Sequence, residues 1–128
     1  MAVVNIQLPP LHEGRNNSGG QLSIFNDPSR FKVIVCGRRW GKTTLGVVMC
    51  LRTSIKGGRT WWVAPTYKIA NEGWDMLKRL ARQIPDVEIK EGDKKALFPG
   101  GGSIEIRSAD IVGSLRGAGL DGLVLDEF

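Results

Sequence analysis

The chain has 128 residues, of which 41% are hydrophobic and 24% are charged, and its formal net charge is +5. This length suffices for one domain with a core, and no apolar run approaches the ~20 residues that span a bilayer. The N-terminus also lacks the basic start and the long apolar segment of a signal peptide. A basic charge is compatible with a phosphate-bearing partner but does not by itself establish one. Composition therefore predicts a globular domain with no membrane partner.

The first twenty residues differ in composition from the rest. They contain Pro9 and Pro10 followed by GRNNSGG, which is typical of a flexible arm. Residues 21–30 form a short amphipathic piece that ends in a turn signal. Gln21 opens this piece, and its amide can pair with the donor and acceptor pattern of an adenine edge. A plain surface glutamine is the alternative.

Residues 31–44, FKVIVCGRRWGKTT, have the order of a phosphate-binding loop. Residues 31–36 are apolar and β-branched apart from one lysine, which predicts a buried strand, and KTTLGVVMCLRTSI predicts the helix that follows the loop. The standard pattern would have its first glycine at position 36, where this chain has Cys36. The predicted nucleotide-binding residues of the loop are Gly37, Arg38, Arg39, Trp40, Gly41, Lys42, Thr43 and Thr44. Backbone N–H groups at such a helix start donate hydrogen bonds to phosphate oxygens. Lys42 would reach the β- and γ-phosphates, and Thr43 would bind Mg²⁺.

The middle of the chain predicts a strand at 60–64, a helix at 67–84 and antiparallel strands within 87–107. Apolar residues recur at helical spacing in the second helix, so its tryptophan and those of the strand are interpreted as core residues. The glycines at 100–102 are interpreted as a hairpin turn rather than a second phosphate loop. Four basic residues lie off the apolar stripe and are either a nucleic-acid face or a solvated one, namely Lys68, Lys78, Arg79 and Arg82. Cys36 and Cys50 are interpreted as reduced core cysteines, since their spacing is not that of a metal site.

The last predicted strand, GLVL at residues 122–125, ends in two acids. An aspartate at this position can hold a Mg²⁺ shell, and the next glutamate can polarise a water for attack on the γ-phosphate. Asp126 is therefore the predicted metal ligand and Glu127 the predicted catalytic base. The alternative is an ordinary strand end with two solvated acids.

Three segments in this order, CGRRWGKTT, WWVAPTY and RSADIVGSLRGAGLDGLVLDEF, resemble the ATPase half of large terminase subunits of tailed bacteriophages. The resemblance covers residues 21–128 and implies an α/β P-loop NTPase fold of the additional-strand, catalytic-glutamate (RecA-like) type with a β-hairpin insertion. It also implies ATP and Mg²⁺ as cofactors, and hydrolysis coupled to translocation of double-stranded DNA into a procapsid. Arg39 resembles the family's Walker A arginine, which would stabilise charge on the γ-phosphate; Arg116 is a second candidate that could act on a neighbouring subunit.

The resemblance implies partners and a location as well. These are double-stranded DNA, the portal, the small terminase subunit, a homo-oligomeric ring and the cytoplasm of the bacterial host. We expect residues 1–20 to be an arm and residues 21–128 to be the N-terminal part of the ATPase domain, without the coupling motif or the nuclease domain. A missing later strand would leave unpaired strand edges and uncovered apolar surface. Two alternatives are another nucleic-acid-dependent P-loop ATPase, such as a helicase, and a non-catalytic remnant.

Overall fold

The computed structural model describes residues 11, 14–15, 18–35, 41–109 and 119–126. Within these residues the elements in chain order are β1 (Gly14–Arg15), β2 (Ser18–Gly19), α1 (Gln21–Asn26), α2 (Lys42–Ile55), β3 (Arg59–Ala64), α3 (Tyr67–Ala81), β4 (Glu88–Lys90), β5 (Lys95–Leu97), β6 (Ser103–Ser108) and β7 (Gly122–Leu125). Five of the strands form one sheet in the order β4-β5-β6-β3-β7. Both long helices pack on the same face of that sheet.

Both long helices lie where the sequence predicts them. α2 ends at a left-handed glycine, Gly57, with φ of 98°, and the N–H of Gly57 donates to the carbonyl of Ser54 at 3.0 Å. α3 begins after Thr66, whose hydroxyl accepts the N–H of Ile69, which is an N-cap arrangement. These local signals explain why both helices begin, and α2 ends, where the sequence predicts. α3 ends at Ala81, before the predicted end at residue 84.

The core lies between the two helices and the central strands. β3 pairs in parallel with both β6 and β7. Trp62 of β3 points between the helices and is 2% exposed. It is in close contact with Gly46 of α2 and Gly73 of α3, where a Cβ would approach the indole ring to 2.7 Å and 3.0 Å. The prediction that the tryptophans are core residues is confirmed, since Trp61 and Trp74 are also buried.

The predicted antiparallel strands are also confirmed. β4 pairs antiparallel with β5, and β5 pairs antiparallel with β6. Gly101 has φ of 91° at the tip of the β5–β6 connection, and the N–H of Phe98 donates to the carbonyl of Gly102 at 2.8 Å. The glycines at 100–102 therefore form a hairpin turn, as predicted.

The strand predicted at residues 31–36 is wrong for the residues that the structure describes there. Residues 31–35 are in no strand, and Phe31, Val33 and Val35 are 82%, 93% and 93% exposed. A strand is stable only when a neighbour satisfies its backbone groups and covers its side chains. Among the described residues no strand lies beside this segment, so its apolar pattern alone does not fold it.

The edge strand β7 carries the uncovered apolar surface that the sequence led us to expect. It is the last strand of the sheet as described. Leu123 and Leu125 are 52% and 58% exposed, while Val124 between them packs against the core.

The N-terminal part of the chain carries two short strands and a short helix among its described residues. β1 and β2 pair antiparallel within it, and the short helix α1 follows. The N–H of Ser29 donates to Asp27 Oδ1 at 2.7 Å, which forms the predicted turn. The Ser29 hydroxyl, and then this N–H, lower the pKa of the Asp27 carboxyl by hydrogen bonding to it. In the described part of the chain, no helix is both long and apolar enough to cross a membrane.

Candidate nucleotide-binding site

The start of α2 has the backbone geometry that a phosphate site needs. Gly41 is its N-cap residue and has the left-handed conformation, with φ of 96° and ψ of 32°. A glycine has no side chain, so Gly41 does not cap the N–H groups of the first turn. Lys42, Thr43 and Thr44 form the first turn and are half-buried. The first N–H groups of a helix have no partner within it and carry the positive end of its dipole, so they favour an anion. The predicted loop residues Gly37, Arg38, Arg39 and Trp40 lie outside the described residues.

Helix α2 runs antiparallel to β7. Near the end of the helix, Thr53 lies beside Gly122, the first residue of β7. Further towards the helix start, Gly46 faces Val124, with 3.4 Å between the position of a Cβ at residue 46 and Val124 Cγ1. Lys42 is four positions before Gly46 along the helix, and Asp126 is two positions after Val124 along the strand, about 6 Å in each case. The structure therefore brings Lys42 and Asp126 to the same edge of the sheet.

Asp126 is positioned by the parallel pairing of β3 and β7. Its backbone N–H donates to the carbonyl of Val63 at 2.8 Å, so the residue directly after β7 remains hydrogen-bonded to β3, and Asp126 is half-buried. The carboxyl edge of parallel strands is where open α/β sheets bind ligands. The predicted catalytic residues Arg39, Arg116 and Glu127 lie outside the described residues.

Gln21 is part of this edge, in a way the sequence did not indicate. Its side chain is 3% exposed, and its Nε2 donates to the carbonyl oxygen of Gly41 at 2.8 Å. The alternative of a plain surface glutamine is therefore wrong. Contact of Gln21 with an adenine edge stays a prediction. The hydrogen bond joins residues twenty positions apart, so no local pattern in the sequence could have found it.

The donor set at this edge suits Mg²⁺. Among the described residues, no cluster of three or more His, Cys, Asp or Glu side chains could hold a metal ion. Mg²⁺, however, usually binds proteins through one or two carboxylates together with substrate phosphates and water. The hydroxyl of Thr43 and the carboxylate of Asp126 fit that pattern.

The described residues also form a cleft at a distance from Lys42. A cleft of about 340 Å³ at the other end of α2 is lined by Arg52, Thr53, Lys56, Gly57, Gly58 and Asp121. Asp121 Oδ2 accepts the backbone N–H of Arg59 at 2.9 Å, and Arg52 donates to the carbonyl of Phe25. These bonds hold neighbouring segments together, so the cleft does not replace the edge of the sheet as the candidate site.

The four basic residues of α3 and its end separate into two groups. Lys78 is bound within the fold, because its Nζ lies 3.0 Å from Glu91 Oε1 and 5.5 Å from the centre of the Trp74 ring. Lys68, Arg79 and Arg82 are exposed. For these three the choice between a nucleic-acid face and a solvated face stays open. The core interpretation of Cys50 is confirmed, since it is buried in the core cluster, and this burial raises the pKa of its thiol to about 12. Cys36 lies outside the described residues.

The chain was compared with known proteins in three ways. No protein-family model matches it. Its fold is similar to the large terminase ATPase domain of Thermus phage P74-26, with a TM-score of 0.70 and 25% sequence identity. It is also 31% identical over 125 residues to the large terminase subunit of Escherichia phage T5. The resemblance to phage large terminase subunits is confirmed.

These matches also confirm the predicted fold class, a mixed α/β fold of the P-loop NTPase type with a five-stranded open sheet. The structural match covers 82% of this chain and 51% of the Thermus phage domain. The match to the T5 terminase covers 90% of this chain and 28% of the T5 subunit. The chain thus spans about half of one relative and under a third of the other, and the predicted division into an arm and part of an ATPase domain stays a prediction.

Proposed function

We propose that this chain is part of the ATPase motor of a phage DNA-packaging terminase. This motor binds Mg²⁺-ATP and couples ATP hydrolysis to translocation of double-stranded DNA. One observation carries the proposal most directly. The first turn of α2, with Lys42 and Thr43, and the end of β7, with Asp126, lie towards the same edge of the sheet. The terminase relatives support the assignment of that edge to ATP.

Each residue of the site has a proposed role. The backbone N–H groups of the first α2 turn and the Lys42 ammonium would bind the β- and γ-phosphates. The Thr43 hydroxyl and the Asp126 carboxylate would hold Mg²⁺, which supplies charge neutralisation of the phosphates when it is bound. Glu127 would orient and deprotonate the attacking water. Arg39, or Arg116 from a neighbouring subunit, would stabilise the charge on the transferring phosphoryl group.

The partners follow from the same proposal. They are double-stranded DNA, the portal and the small terminase subunit, with subunits arranged as a ring in the cytoplasm of the bacterial host. Hydrolysis by this chain alone is a separate question from nucleotide binding, because the chain spans only part of its relatives.

Calorimetry of Mg²⁺-ATP binding to the purified chain tests the site directly. We expect Lys42→Ala to weaken binding at least about tenfold, since a charge-assisted hydrogen bond contributes about 1.5–3 kcal/mol. Lys56→Ala is the matched control, because Lys56 is an exposed lysine at the opposite end of the same helix. It should leave the affinity unchanged.

Circular dichroism of each variant establishes that it is folded. A folded wild-type chain that binds no Mg²⁺-ATP would contradict the proposal, as would equal affinities of the wild type and Lys42→Ala. If binding behaves as expected, the steady-state rate of phosphate release with and without double-stranded DNA then tests coupling.

A further inference from the structure

The hydrogen bond between Gln21 and Gly41 lies at the hinge between the predicted phosphate loop and α2. The carbonyl oxygen of Gly41 can only accept, so the Gln21 amide must present an N–H to it. The same oxygen also accepts the N–H of Leu45 at 3.0 Å, which is the first helical hydrogen bond of α2. One carbonyl therefore links Gln21 to the start of the helix.

Gly41 and Gln21 also fit each other in shape. The Gln21 amide nitrogen occupies the space that a Cβ at residue 41 would take. Gly41 is left-handed, a conformation that glycine adopts without steric cost. The φ angle thus favours glycine at this position, and a Cβ there would displace the Gln21 amide from its present place.

The helix that carries Gln21 is itself fixed to α2 at its other end. Arg52, in the last part of α2, donates to the carbonyl of Phe25 at 3.1 Å, and its guanidinium lies 4.1 Å from the centre of the Phe25 ring. α1 is therefore held against both ends of α2, with Gln21 at the phosphate end. This anchoring allows a single amide to fix the direction of the Gly41 carbonyl.

We infer that Gln21 is a positioning residue, which orients the backbone of Gly41 and the first turn of α2 for phosphate binding whatever the base of the nucleotide. The inference rests on the proposed function, in that it assigns phosphates to the start of α2. It differs from the adenine contact predicted from sequence, because it requires the Gln21 amide to act on the protein backbone. A residue that reads adenine would discriminate between nucleotides, whereas a residue that positions the loop would not.

Calorimetry with three ligands separates these roles. Mg²⁺-ATP, Mg²⁺-GTP and Mg²⁺-tripolyphosphate are titrated into the full chain, into Gln21→Met, which keeps the length but loses the donor, and into Gln21→Leu, which is shorter and also lacks a donor. We expect each variant to bind all three ligands about tenfold more weakly, with the ATP-to-GTP ratio unchanged. Ser23→Ala is the control, because it removes a hydrogen bond of α1 to Gly20 without touching Gly41. A loss confined to ATP, or no loss, would overturn the inference.

Amide hydrogen exchange provides a second test, which needs no ligand. We expect both variants at Gln21 to speed exchange of the Leu45 amide about tenfold and to leave that of Val48, one turn further along α2, unchanged. Unchanged exchange at Leu45 would overturn the inference, and so would global unfolding of both variants, since it would assign Gln21 to stability of the whole fold. A folded wild-type chain that binds none of the ligands would sink the proposed function, while the Leu45 measurement would still test the positioning of Gly41.

Discussion

Two regions of the molecule have similar apolar sequences and opposite environments. In the first, which we call the closed region, α2 and α3 cover β3 and β6, and Trp62 is 2% exposed. In the second, the open region, residues 31–35 lie outside any strand and β7 leaves Leu125 58% exposed. The contrast shows that an apolar, β-branched pattern indicates only that a segment is able to form a buried strand. Whether the segment does so depends on a neighbouring element.

Loss of the central tryptophan of the closed region should have the largest effect on stability. We expect Trp62→Ala to lower the free energy of unfolding by about 3–5 kcal/mol, because it leaves a cavity between Gly46 and Gly73. Phe31→Ala is the matched control in the open region. Since Phe31 is largely exposed, its loss should change stability by about 0.5 kcal/mol or less. Urea unfolding followed by far-UV circular dichroism measures both, and comparable losses would contradict the division into two regions.

The closed region was predictable because its signals are local. Gly57 ends α2, Thr66 caps α3, and Gly101 turns the β5–β6 hairpin, each through bonds within a few residues of itself. Helical spacing of apolar residues in α3 gave its buried face. These features depend on residues that are close together in the sequence, so the sequence alone predicts them.

The open region and the candidate site could be predicted only in part. The pattern at 31–36 predicted a strand, but a strand also needs a partner, and sequence spacing does not state where that partner lies. The motifs singled out Gly41, Lys42 and Asp126, whose binding roles stay predictions, and the structure directs the start of α2 and the end of β7 towards one edge. The bond from Gln21 to Gly41 was missed because it depends on how α1 packs on α2.

A lysine substitution should lower the free energy of unfolding much less in the open region than in the closed region. We expect Leu125→Lys to change the free energy of unfolding by about 0.5 kcal/mol or less, since the lysine would remain in water. It should also reduce self-association, because a charge blunts an exposed edge strand and interrupts an apolar patch. Sedimentation velocity over a range of protein concentrations measures the association.

The same substitution in the closed region is the control. Ile104→Lys should prevent folding, because Ile104 is fully buried in β6 and an unpaired buried charge is strongly unfavourable. If Leu125→Lys also prevented folding, the exposed face of β7 would have to be covered in solution, and the comparison would fail.

The smallest expected effect is a pH dependence at the rim of the closed region, where Glu91 connects α3 to the hairpin. The Lys78 ammonium, 3.0 Å from Glu91 Oε1, lowers the pKa of this carboxyl, and the indole N–H of Trp74 acts in the same direction. A carboxyl whose pKa is lower in the folded state stabilises the fold above its unfolded pKa, and this contribution is lost as pH falls through the folded pKa.

We therefore expect the wild type to be slightly more stable than Glu91→Gln at pH 7 and the difference to vanish as the pH falls through the acidic range. Glu88→Gln, an exposed position on β4, is the control and should show a smaller difference at pH 7. Urea midpoints measured from pH 7 down to the onset of acid unfolding give the result. A difference between wild type and Glu91→Gln that stays constant with pH would assign the effect of the substitution to packing against Trp74. In that case the bond to Lys78 would contribute nothing measurable, as is common for ion pairs in water.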